Sequence, residues 1–174
     1  MIQHPSFDTF SVAERWFVSR ELAIKLQLGL EELAIVHAQF RPLVSMPADA
    51  TIGVIETSAA CAMLHSFYTE IEKILKLIAR EWAGQTPSSD SWHKDLLIQM
   101  SQATARRPAV VSSALVEVLS EYLAFRHLFR GASIALMRWP KLFPLVAKVD
   151  QTYSEVRHEI VAFLRFIQGE GDKT

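Results

Sequence analysis

Leu64, Tyr68, Ile71, Leu75, Ile78 and Trp82 alternate steps of four and three residues. That is the repeat of a helix burying one narrow stripe, and it suits antiparallel bundle packing. Asp49 or Thr51 can cap its start and Gly84 can end it. About thirty residues at 1.5 Å each span roughly 45 Å, so such a helix needs long neighbours. Leu22, Leu26, Leu33, Val36 and Phe40 predict one, from Ser11 or Glu14 to Phe40, with Gly29 a weak point inside it. Leu145, Val149, Tyr153, Val156, Ile160, Phe163 and Ile167 predict another, from Lys141 or Pro144 to Gln168. A short helix is expected from Ser91, with Trp92, Leu96 and Leu97 facing inward. A further helix from Ser112 or Ser113 to Phe129 carries the stripe Leu115, Leu119, Tyr122 and Leu123. Proline and glycine cluster between these runs, near Pro42 and Pro47, Gly84 and Pro87, Pro108, Pro140 and Pro144, and Gly169 and Gly171. No segment alternates with a period of two. The pattern therefore predicts an all-α fold, an up-and-down four-helix bundle with an additional short helix, formed by one domain over residues 1–174.

Composition narrows the function classes. The 174 residues are 50% hydrophobic and 21% charged, which excludes a disordered or low-complexity chain. A net charge of −1 gives no general attraction to nucleic acid or membrane. One cysteine, Cys61, excludes a disulfide framework and a multi-cysteine zinc site. The six histidines show no metal-ligand spacing, and the inward positions offer Leu, Ile, Phe and Tyr, so neither a metal nor a cofactor is expected. Met1 to Pro5 lacks the basic start and apolar run of a secretory signal. The segment from Thr51 to Phe67 carries Glu56 and His65 and reads as a buried helix rather than a membrane span. The expected location is cytoplasmic.

The helix that starts near Ser113 carries the candidate chemistry. Extending its apolar stripe lands on Arg126, then on Phe129 and Arg130. A like-charge pair four residues apart costs a few tenths of a kcal/mol, and a guanidinium on an apolar face costs more unless something anionic sits opposite. One reading is a structural salt bridge, with Glu72 or Glu70 as the partner. The other is an RNA phosphate site, since the planar guanidinium can donate two hydrogen bonds at once. From Ser101 to Lys148 there are seven basic residues against two acidic ones, although a solvated basic face would look the same. His127 follows Arg126 and points about 100° away from it, as a surface or structural residue or as a third RNA contact. The apolar flank of Phe125, Leu128 and Phe129 is wide enough to need cover, from a second copy or from the Trp139 to Leu145 segment.

Four strings carry a resemblance: Leu64 to Leu75 (LHSFYTEIEKIL), Ser91 to Leu97 (SWHKDLL), Arg107 to Val110 (RPAV) and Tyr122 to Arg130 (YLAFRHLFR). In order and spacing they resemble HepT-like proteins, a branch of the HEPN superfamily. The similarity covers most of the chain after about residue 50. The resemblance implies a HEPN-like bundle that forms a homodimer. It also implies a metal-independent endoribonuclease, a toxin paired with a nucleotidyltransferase-type antitoxin. The family motif is an arginine, four to six variable residues and a histidine, with a tyrosine two residues further, and the motifs of two subunits meet in a cleft. The histidine shifts the 2′-hydroxyl proton, and the arginine holds the phosphate as charge develops.

Carried onto this chain, Arg126 takes the place of the catalytic arginine, but the histidine position is Gly131 and the tyrosine position is Ser133. Starting from Arg130 reaches only Ala135, Leu136 and Met137. Glycine cannot move a proton, and loss of a general acid or base typically costs ~10²–10⁴ in rate. His158 could approach from the last helix, whereas His65 and His93 read as packing or hydrogen-bonding residues. The expectation is a toxin-family protein with an RNA-binding cleft at a homodimer interface, lined by Arg126, Arg130 and His127, with impaired cleavage. The alternative is a non-catalytic module. It would bind a nucleotidyltransferase-like partner, or a nucleotide-like anion through Arg126 and Arg130.

Overall fold

The computed structural model of the chain describes residues 12–82, 91–131 and 137–169. They form six helices: α1 (Val12–Ala38), α2 (Arg41–Val44), α3 (Val54–Trp82), α4 (Trp92–Ser101), α5 (Ser113–Gly131) and α6 (Trp139–Ile167). Among the described residues there is no strand, and no helix is long and apolar enough to cross a membrane. The all-α expectation holds, with four long helices and the short α4 in the expected order.

The long stripes build the core. Leu64, Tyr68, Ile71, Leu75 and Ile78 of α3 are buried, as are Val149, Val156, Ile160 and Phe163 of α6. They meet Leu22, Leu26 and Leu33 of α1 and Leu115, Leu119 and Tyr122 of α5 in one cluster. α3 packs against α1, α4, α5 and α6. Gly29 explains how α1 and α3 come so close: a Cβ there would lie 2.9 Å from Ile74 Cγ1. The Tyr122 hydroxyl is buried and donates to the Leu145 carbonyl at 2.8 Å, joining α5 to α6.

Three boundaries differ from the pattern. The single turn α2 was not expected, because four residues are too few to show a helical stripe; Pro42 in its first turn and buried Leu43 define it. α3 begins at Val54 rather than at Asp49 or Thr51, with the Thr57 amide and hydroxyl both donating to the Gly53 carbonyl. α6 begins at Trp139, ahead of Lys141 and Pro144. Pro140 occupies its first turn, where no amide is needed, and the buried Trp139 indole donates to the Pro47 carbonyl at 2.8 Å. Gly84, the expected end of α3, lies outside the described residues.

The connection from α4 to α5 is pinned by Arg107. Its buried guanidinium donates to the carbonyls of Gln99 (2.7 Å), Gln102 (2.9 Å) and Pro108 (3.0 Å). The amides of Val110 and Val111 return to the Met100 carbonyl at 2.8 and 3.3 Å. These bonds satisfy carbonyls that the C-terminus of α4 would otherwise leave open.

Candidate functional site

Arg126 sits one turn beyond Tyr122 and Leu123 on the buried stripe of α5, so its side chain enters the bundle rather than solvent. Only 12% of it is exposed, against 7% for Glu72 of α3 and 8% for His93 of α4. Arg126 Nη2 lies 3.5 Å from Glu72 Oε2, and Nη1 lies 3.1 Å from His93 Nε2. His93 Nδ1 and Glu72 Oε1 form a hydrogen bond.

Arg126 Nη1 is also 3.4 Å from His93 Nδ1, so the guanidinium lies across the face of the imidazole while Nδ1–H donates to the Glu72 carboxylate. Burial pushes the pKa of His93 below the ordinary histidine value, and the charge of Arg126 opposes protonation further, against the pull of Glu72. The charge balance of the cluster is one carboxylate and one guanidinium, with the imidazole wedged between them. Arg126 Nε is buried without a partner, so not every donor of the arginine is used. Trp92 packs on the His93 ring at 3.5 Å between centroids, and Lys76 Nζ lies 4.4 Å from the Trp92 ring centre. Trp92, expected to face inward, is half-buried under this ammonium.

The other candidates surround this cluster unevenly. Glu70, the second carboxylate considered for Arg126, pairs with Lys73 at 2.8 Å instead. His127 is exposed, with its ring edge-on to His93 at 5.3 Å. Arg130 is exposed in the last turn of α5, where the helix dipole favours a cation. His65 is half-buried against Phe129 at 5.5 Å between ring centroids. Its Nδ1 is buried without a partner, and burial, then Arg126 and Arg130, lower its pKa. His158 is exposed on α6. Gly131 is the last residue of α5, while Ser133 lies outside the described residues.

Phe125 is buried and stacks on half-buried Phe129 at 5.9 Å, so most of the α5 flank is covered within one chain; Leu128 stays 57% exposed. Sequence reasoning named Glu72 but read His93 only as packing or hydrogen bonding. The contact of His93 with Arg126 joins residues 33 apart and depends on how α4 docks on α5, which no spacing rule encodes.

Two cavities stand out. One is a groove of about 410 Å³ between α1 and α3, and the other is a pocket of about 320 Å³ beside Arg107. Neither is lined by Arg126, His127 or Arg130. Among the described residues no group of three His, Cys, Asp or Glu could hold a metal ion.

The family described as HepT-like protein matches residues 59–167, a span that contains Glu72, His93, Arg126 and Gly131. No curated protein and no solved structure matches the chain.

Proposed function

The chain belongs to the HepT-like protein family, and from that premise we propose that it is a toxin-family protein whose metal-independent RNA cleavage is impaired. One observation carries this reading: Arg126, at the motif arginine, is engaged by Glu72 and His93, while α5 ends at Gly131, where the proton-transferring side chain would stand. An arginine neutralised in the ground state has less charge to offer a phosphorane-like transition state. His93 is a poor substitute for the lost histidine, because Glu72 holds its Nδ1, the Arg126 guanidinium covers its ring and the side chain is buried. RNA contact then falls to exposed Arg130 and His127, a sequence-independent attraction that weakens as salt rises. In the homodimer that the family resemblance implies, a partner copy doubles this surface, and a nucleotidyltransferase-type protein is the expected antitoxin.

The test is cleavage of single-stranded RNA by the purified chain beside a Gly131→His, Ser133→Tyr double variant. The expected result is cleavage by the double variant at least ~100-fold faster than by the natural chain. Equal and robust cleavage by both would overturn the claim. The burial of Arg126 also favours the second reading, a non-catalytic module that recognises a protein partner. That reading predicts no cleavage by either form and no salt-sensitive RNA affinity.

A further inference from the structure

Arg107 carries a charge that the fold answers only in part. The residue is 4% exposed, and a guanidinium keeps its proton inside a protein, so the charge cannot be shed. Among the described residues no carboxylate pairs with it. Burial lowers its pKa from the ordinary arginine value, and no neighbouring acid raises it. The carbonyls of Gln99, Gln102 and Pro108 are neutral dipoles, and they occupy three of its five N–H groups, all on Nη1 and Nη2. Nε–H and one Nη2–H remain. A buried cation is costly unless an anion stands opposite. Arg126 obeys that rule through Glu72, whereas Arg107 has no such partner among the described residues.

What lies beside Arg107 is the pocket of about 320 Å³. That is the lower end of the range for ligand sites, and it suits a molecule of one ring. No carboxylate is among the described residues that line it. The half-buried Trp82 indole, at 6.1 Å from the Phe163 ring and 5.7 Å from the Phe166 ring between centroids, gives one wall an aromatic surface. Gln99, Gln102 and Thr104 add polar side chains. Charge and donor count then select the ligand. Two remaining N–H groups match the two oxygens of a carboxylate, one negative charge against one positive. A phosphate would bring a further oxygen and further negative charge, with no donor left on Arg107 to receive them. An aromatic body gains from the Trp82 ring.

We propose that the pocket between the end of α3 and the α4–α5 connection binds a small aromatic monocarboxylate, with its carboxylate on Arg107 and its ring on Trp82. Such an acid supplies the counter-charge that the chain itself does not place there. Neither RNA cleavage nor Arg126 enters this argument, so its failure would leave the proposed function standing.

NMR titration of the full ¹⁵N-labelled chain tests it, with benzoate as the probe, benzamide as its neutral isostere and phenyl phosphate as the more highly charged analogue. The expected result is saturable shifts of the Trp82 indole N–H and of the amides from Gln102 to Arg107, with a dissociation constant of about 1 mM or lower. Benzamide should bind at least about 10-fold more weakly, because it lacks the charge that strengthens the hydrogen bonds. Phenyl phosphate should also bind more weakly than benzoate. Replacing Arg107 would loosen the end of α4, so a steric variant carries the mutational test. Ala105→Trp fills the pocket from an exposed position and leaves the bonds of Arg107 in place. With the fold confirmed by circular dichroism, it should raise the dissociation constant for benzoate at least about 10-fold. Absence of shifts up to about 10 mM benzoate overturns the proposal. So does equal binding of benzamide, tighter binding of phenyl phosphate, or benzoate binding that survives Ala105→Trp.

Discussion

Glu72 sets the state of two neighbours at once: it holds the tautomer of His93 and neutralises Arg126. Removing one member of a buried ion pair strands the other. Arg126→Ala should therefore cost about 3–5 kcal/mol of stability in chemical denaturation. Arg130→Ala, on an exposed side chain, should stay within about 0.5 kcal/mol. An Arg126 with a purely functional role would show no such contrast. The histidines add a pH dependence. His65 and His93 both have pKa values lowered from the ordinary 6.5, so the unfolded chain takes up their protons first as pH falls. Their contribution is fully present above about pH 6.5 and is lost as pH drops through the lower folded values. The melting temperature should fall between about pH 7.5 and about pH 5.5, and His65→Gln with His93→Gln should flatten that slope. Of this cluster, Arg126 and Glu72 were legible in the sequence, because each continues or adjoins an apolar stripe. The role of His93 was not, since one turn of a ten-residue helix carries no record of what it docks against.

At the scale of helices, Gly29 reads in sequence as a defect in α1 and proves to be the point where α1 meets Ile74 of α3. Alanine is worth about 1 kcal/mol over glycine in a helix interior, yet here its Cβ would sit 2.9 Å from a side-chain carbon. Gly29→Ala should therefore bring no gain in the natural chain. It should stabilise by up to about 1 kcal/mol once Ile74→Ala has removed the obstruction. Thermal denaturation of the two single variants and the double variant measures that coupling. Gly29→Leu should cost about 1–3 kcal/mol by overpacking. The long helices were legible because each buries one stripe through about five to eight turns. Their ends were less so, for reasons of local chemistry. Pro140 and Pro144 read as breaks before α6, whereas the helix takes one into its first turn and the other into its interior.

For the molecule as a whole, length and stripe spacing were enough to predict the bundle, because helices of this length bury a stripe only against others equally long. Which faces stay open was harder to foresee. The flank at Phe125, Leu128 and Phe129 read as needing cover from a second copy or from the Trp139 to Leu145 segment; Phe125 is buried and Phe129 half-buried, while Leu128 and, on α1, Ile24, Leu28 and Ile35 lie open. The α1 stripe Leu22, Leu26 and Leu33 marks its inner row, as its spacing predicts, but Ile24, Leu28 and Ile35 form a second apolar row that the stripe left unread. Arg107 acts over a longer reach than its place in a connecting loop suggests. Because one guanidinium fastens the tail of α4 to the strand of chain leading into α5, the loop cannot loosen alone; opening it also frays the helix behind it. In hydrogen–deuterium exchange the Val110 amide, although outside any helix, should be retained as long as the amides near Met100, and the whole stretch should surrender its label together.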